Sequence, residues 1–160
     1  LISFNANAQS PKYTIGLRTN PIPNPRFGNS LIYQYYLNPA NRLSFGLSGG
    51  GAFGKQDYSH LWTNLSIYYQ HLWHIKGGLS AFAGVGGSVG YDRFRSFQNV
   101  TTHKYVRFGP QVGLEYDFSS HNVPFILGVD YRPTLGILDW NTNNVNIQHG
   151  LGVSFRYIIK

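Results

Sequence analysis

The chain has 160 residues, enough for one domain, and a formal net charge of +7 at neutral pH. It contains no cysteine, which excludes disulfides and thiolate metal sites. No stretch carries a 3.6-residue apolar stripe, and no run approaches the roughly 18 continuous apolar residues of a membrane helix.

Eight segments, taken in chain order, alternate between apolar residues and small or polar ones. This alternation is typical of strands whose two faces meet different surroundings. In the last segment, Val153, Phe155 and Tyr157 share one face, while Ser154 and Arg156 share the other. The predicted strands are 12–20, 30–38, 42–53, 61–73, 79–92, 105–118, 125–135 and 145–157.

The connections between these segments alternate in length. Short turns at 38–41, 74–78 and 119–123 alternate with longer connections at 21–29, 54–60, 93–104 and 136–144. Outer-membrane barrels have short periplasmic turns and longer extracellular loops, so the pattern predicts a barrel with both termini in the periplasm. The sequence Ala6-Asn7-Ala8 predicts the tail of a secretory signal peptide at 1–8, followed by one barrel domain at 9–160.

The charges separate between the two faces. The apolar parity of the predicted strands carries no Asp, Glu, Lys or Arg. Four cations and four anions fall on the inward parity and predict an interior charge network: Arg18, Arg107, Arg132 and Arg156, with Asp92, Glu115, Asp117 and Asp130. Buried charges persist when they are paired, so we interpret this set as a salt-bridged plug, with a proton or ion path as the alternative.

The remaining charges, including Arg42, are assigned to turns, loops and strand ends. Five of them give the outer loops a cationic character that suits lipopolysaccharide phosphates: Arg26, Lys55, Arg93, Arg95 and Lys104. Aromatic residues near both strand ends predict two interfacial girdles, with Trp62, Tyr91 and Tyr131 on the loop side. The cations are dispersed around a rim, which disfavours nucleic acid as a partner.

Strand number, loop alternation and a paired-charge interior make the chain similar to small outer-membrane barrels of the OmpA/OmpX-like class. The segments 128–133 and 151–157 resemble the last two strands of that family. Such barrels usually finish on an aromatic residue, whereas here Ile158, Ile159 and Lys160 follow Tyr157. The resemblance implies an all-β, eight-stranded, up-and-down transmembrane barrel. It further implies a non-enzymatic structural or interaction protein without a cofactor, or a small subunit of a larger outer-membrane complex.

Other functions remain open at this point. Pro110 and Pro133 remove ladder donors from neighbouring strands, which predicts a lateral gap toward the outer leaflet. With such a gap, Asp57, Ser59 and His60 in the loop 54–60 form a hypothetical acid, nucleophile and base of a lipid acyltransferase. A narrow channel and a soluble lipocalin-like barrel are further alternatives. The histidine spacing does not favour a metal site. His71 is expected beside Trp73, and the lipid-facing His149 is expected to need a partner.

Overall fold

The computed structural model describes residues 13–21, 29–53, 59–96, 99–139 and 146–159. The expected signal-peptide remnant at 1–8 lies outside these ranges. The described chain forms eight strands and one 3₁₀ helix at Phe118–His121. The strands are β1 (Tyr13–Thr19), β2 (Ser30–Asn38), β3 (Asn41–Phe53), β4 (Ser59–Lys76), β5 (Leu79–Ser96), β6 (Asn99–Asp117), β7 (Phe125–Asp139) and β8 (Asn146–Ile159).

The eight strands form a closed antiparallel barrel. Each strand pairs with the next one in the chain, and β1 pairs with β8 to close the ring, with Tyr13 opposite Ile159. The expected fold class, an eight-stranded up-and-down barrel, is therefore confirmed. Because the strand number is even, the first and last described residues lie at the same end as the short connections.

The barrel wall is much taller on one side than on the other. Strands β4, β5 and β6 contain 18, 18 and 19 residues, whereas β1 and β2 contain 7 and 9. The prediction of a loop at 93–104 is wrong over most of its length, since Phe94 pairs with Thr101 and Arg95 with Val100. Threonine, valine and phenylalanine favour strands, and here they extend the β5–β6 hairpin beyond the predicted ends.

The two faces of the wall differ as the alternation predicts. Many outward side chains are apolar and exposed, and they include Leu17, Leu47, Leu65, Val85, Phe108, Leu114, Val129 and Phe155. The buried side chains are mostly polar or charged, so the inside of the barrel is its polar face. Trp62 is an exception to the expected outer girdle, because it points inward at 9% exposure and its indole covers Gly50.

The short connections have the chemistry that tight turns require. Gly77 and Gly78 join β4 to β5 with φ values of +57° and +90°, where a side chain would be strained. Asn122, with φ 61°, ends the 3₁₀ helix that precedes β7. Among the described residues, no helix is long and apolar enough to cross a membrane.

Candidate functional sites in the interior and on the outer wall

Buried charges in the barrel form three clusters, which we call lower, middle and upper by their distance from the short turns. The lower cluster is built around Glu115. Its carboxylate accepts hydrogen bonds from Arg42 Nη1 at 2.9 Å, Arg42 Nη2 at 2.8 Å and Arg156 Nη2 at 2.8 Å. All three side chains are at most 5% exposed. One carboxylate thus holds two guanidinium groups from different strands.

Arg42 is a central member of this cluster, and its assignment to a turn or strand end is wrong for the side chain. It is fully buried and donates to Gln70 Oε1 at 2.5 Å and to the Tyr36 hydroxyl at 2.8 Å. Its guanidinium also lies 4.9 Å from the centre of the Phe82 ring. Arg42 and Ser44 are two residues apart on β3 and therefore share its inward face. This alternation is the sequence signal that predicts a buried Arg42 side chain.

The middle cluster is built around Asp130. Arg18 donates to this carboxylate from Nε at 2.9 Å and from Nη2 at 2.9 Å, reaching from β1 over Gly152 of β8 to β7. Arg132 donates from Nε at 2.9 Å, and its guanidinium lies over the Tyr68 ring at 4.8 Å. As in the lower cluster, one carboxylate contacts two arginines. The aromatic ring stabilises the second guanidinium through a cation–π interaction.

The upper cluster corrects the assignment of His60 to an outward loop. Strand β4 begins at Ser59, so His60 lies in the wall and points inward at 8% exposure. Its Nε2 contacts Asp92 Oδ1, and its ring stacks on Phe94 at 3.9 Å between centroids. Ser59 and His60 are consecutive strand residues and therefore point to opposite faces. They cannot act as the nucleophile and base of one site, and Asp57 lies outside the described residues.

The other two expected members of the interior network differ from one another. Arg107 is buried, and its guanidinium lies 3.7 Å from the centre of the Tyr105 ring. Asp117 is only half-buried and caps the 3₁₀ helix, accepting a hydrogen bond from Ser119 N at 2.8 Å. The expected four-to-four balance is therefore wrong for the described residues. They bury five arginines against three carboxylates: Arg18, Arg42, Arg107, Arg132 and Arg156 against Asp92, Glu115 and Asp130.

Three of the five expected surface cations lie on the outward face of the tall wall. Arg93 and Arg95 belong to β5, and Lys104 belongs to β6, so they stand on strands and not in a loop. All three side chains are exposed. Among the described residues, no ion pair engages any of them. Arg26 and Lys55 lie outside the described ranges.

Pro110 and Pro133 face each other across the β6–β7 seam. Phe108 pairs with Leu135 and Val112 with Tyr131, and no pair is formed between these two. Hydrogen-bonded pairs alternate along an antiparallel ladder, and the loss of three consecutive pairs indicates that the prolines occupy a hydrogen-bonded position. Neither proline has an N–H to donate. Both hydrogen bonds of this position are therefore missing. The gap in the ladder, from Phe108 to Val112, is about 13 Å long.

The interior behind this seam is filled. Gln111, Arg132 and Thr134 are all at most 9% exposed there. Gln111 Oε1 accepts a hydrogen bond from Gln70 Nε2 at 2.7 Å, and Asp130 holds Arg132. The two prolines interrupt the ladder where the wall is backed by buried polar side chains, of which Gln111 and Arg132 are hydrogen-bonded.

Two outward histidines have partners on the wall. The Tyr131 hydroxyl lies 2.5 Å from His149 Nδ1, and the two rings are stacked. His71 Nδ1 lies 2.8 Å from Asn41 Oδ1, and its ring meets the edge of Trp73 at 4.8 Å. In the part of the chain that the structure describes, no group of three or more acidic or histidine side chains could hold a metal ion.

These features define a class: small eight-stranded barrels with a charged, side-chain-filled interior and an apolar outside. No protein-family model matches the chain, and no curated protein matches it. Among solved structures, the barrel is similar to Ail, the attachment invasion locus protein of Yersinia pestis. That likeness has a TM-score of 0.59 and 14% identity over 92% of this chain and 93% of Ail. Ail in complex with the heparin analogue sucrose octasulfate gives a TM-score of 0.58 and 13% identity, covering 92% and 94% of the two chains. The expected likeness to OmpX-like barrels is confirmed for the fold.

Proposed function

We propose that the chain is an integral β-barrel of the bacterial outer membrane that serves as a non-enzymatic structural and interaction protein. The observation that carries this proposal is the reversal of the usual burial pattern. Leu17 at 65%, Ile147 at 59% and Leu65 at 54% exposure lie outside, while Arg18, Arg42 and Arg156 lie inside at 2% or less. Soluble monomers rarely expose such a continuous apolar surface, whereas a bilayer covers it.

The lengths of the connections support one orientation of the barrel. Bacterial outer-membrane barrels keep their short turns in the periplasm. The turns at Pro39–Ala40 and Gly77–Gly78 share an end with Tyr13 and Ile159, the first and last described residues. We therefore place both termini in the periplasm and the tall wall of β4, β5 and β6 at the cell surface.

The test of this proposal is the behaviour of the purified protein in detergent. A closed barrel should migrate faster on a detergent gel unboiled than boiled, because it resists unfolding. Its circular dichroism should show β structure only in detergent or lipid. A folded, soluble monomer in plain buffer contradicts the proposal and supports the lipocalin-like alternative.

The interaction role rests on the cations of the outer wall. Arg93, Arg95 and Lys104 are exposed and form no ion pair with the described residues, so they are available to an anionic partner. Ail, which has a similar fold, was solved with a heparin analogue bearing many sulfates. We infer that the outer end of this barrel contacts the phosphate-rich layer of lipopolysaccharide. Arg26 and Lys55, which the sequence assigns to the outer loops, are included in this proposed contact.

A role as a small subunit of a larger outer-membrane complex is part of the same proposal. The apolar outer face suits either lipid or another membrane protein, and the two are separated by what co-purifies. Mass spectrometry of the detergent-solubilised protein should show a stoichiometric larger partner if it is a subunit. Isolation as a monomer without such a partner contradicts the subunit role and retains only the lipid-contacting role.

The enzymatic and channel alternatives receive little support. Ser59 and His60 point to opposite faces, and the lumen behind the proline seam is filled with polar groups. We expect Ser59→Ala and His60→Ala to leave the lipid A profile of a host membrane unchanged in mass spectra. An acyl chain gained or lost in dependence on His60 would restore the acyltransferase hypothesis. The filled lumen likewise predicts no ion conductance in planar bilayers.

A further inference from the structure

The outward face of β4, β5 and β6 carries a groove centred on Val89 and Tyr91 of β5. The groove has a volume of about 450 Å³ and is lined by Thr63, Leu65, Val89, Tyr91, Lys104 and Val106. Leu65, Val89 and Val106 form one row across the three strands. The row below it has Gly87 in the centre, where no side chain rises between its two neighbours, Ile67 and Phe108. Gly87 thus leaves a low apolar strip between Ile67 and Phe108, directly below the groove, and we call the groove and this strip together the apolar channel.

Cations stand directly above this apolar channel. Lys104 is paired with Tyr91, one row above Val89, and Arg93 lies one further row up, paired with Thr102. Successive rows on one face are two residues apart, or about 7 Å along the strand. Apolar side chains thus give way to an aromatic residue and then to two exposed cations within about 14 Å. The same order, from hydrocarbon to headgroup, occurs in a phosphorylated lipid.

We propose that this face is a binding site for a phosphorylated glycolipid of the lipid A type in the outer leaflet. One acyl chain lies along β5 over Gly87 and Val89, and a phosphate sits between Lys104 and Arg93. The inference rests on the proposed outer-membrane location and adds a specific lipid site to it. Its support is the apolar channel together with two cations that no described carboxylate neutralises.

The charge of the site is tested by lipid binding to the detergent-solubilised barrel, measured by native mass spectrometry. The probes are bisphosphorylated lipid A and the same lipid with both phosphates removed. Wild type should prefer the phosphorylated form, and Arg93→Gln with Lys104→Gln should weaken its binding by about tenfold or more. Lys76→Gln, which removes a cation at the opposite end of β4, is the matched control and should bind like wild type.

The shape of the site needs a second pair of variants. Val89→Phe fills the channel and should also weaken lipid A binding, whereas Val129→Phe on the outward face of β7 should not. If only the cation variant loses binding, the face is a general polyanion surface, and the lipid site is wrong. If wild type shows no preference for phosphates, or if a co-purifying protein occupies this face in place of lipid, the proposal is also wrong.

The outcome must be separable from a failure of the barrel itself. Each variant is first checked for the mobility shift between unboiled and boiled samples. A wild-type protein that lacks this shift contradicts the outer-membrane proposal. A wild-type protein that shows it, yet does not distinguish the two lipids, contradicts only the lipid site.

Discussion

Replacing Glu115 with alanine should destabilise the barrel more than any single change on its outer wall. The carboxylate accepts three hydrogen bonds at 2.8–2.9 Å from Arg42 and Arg156. Its loss leaves two buried guanidinium groups without their anion. Breaking one buried pair costs about 3–5 kcal/mol, and here two pairs share the carboxylate.

The expected magnitude can be measured by urea unfolding of the barrel in lipid vesicles. With a slope of about 2 kcal/mol per molar urea, a loss of 3–5 kcal/mol lowers the midpoint by about 1.5–2.5 M. Glu115→Gln keeps the shape and one acceptor oxygen but removes the charge, so its midpoint should fall between those of wild type and Glu115→Ala.

Arg95→Ala is the control for this experiment, because Arg95 is an exposed cation on the outer wall. Its midpoint should match that of wild type within error, since exposed charges contribute little to stability. Equal midpoints for Glu115→Ala and Arg95→Ala would refute the reasoning that the lower cluster holds the interior together.

The remaining predictions concern the seam, the packing around the middle cluster and the outward face of the barrel. Pro110→Val combined with Pro133→Val restores two ladder donors, so hydrogen exchange should show newly protected amides at both positions; rapid exchange there would contradict the assigned register. Gly152→Val forces a side chain into the guanidinium of Arg18 and should cost about 1–3 kcal/mol in the same urea assay. Tyr131→Phe removes the hydroxyl partner of the outward-facing His149 imidazole and should lower stability by about 1 kcal/mol, and an unchanged midpoint would show that this bond contributes nothing.

The strand number and the two faces could be predicted because a period of two is preserved along each strand. Inward and outward residues separate without knowledge of any long-range contact. The strand ends were less predictable, and β5 and β6 continue through Arg93, Arg95 and Lys104. The stretch 93–104 is polar and charged and lies beyond the apolar band, so its sequence predicts a loop. Its backbone nevertheless remains paired in the β5–β6 hairpin.

The charge pairing could not be predicted from the sequence. Arg18 and Asp130 lie on β1 and β7, on either side of β8, so the closure of the ring and the tilt of the strands decide their contact. Arg42 was missed because it follows a turn, although its parity matched the inward face. His60 was missed for a related reason, since the start of β4 at Ser59 was not evident from apolar residues.

Closure of the ring by β1 and β8 has a consequence for how the chain folds. Every other pairing joins strands that are consecutive in sequence and forms through a local hairpin. The pair Tyr13 and Ile159 instead brings together the two ends of the described chain, at a much larger loop-closure entropy. Until that last ladder forms, β1 and β8 both present open edges that invite aberrant strand exchange or aggregation. We therefore expect closure to be the slow step of refolding, and joining the two termini covalently to accelerate it.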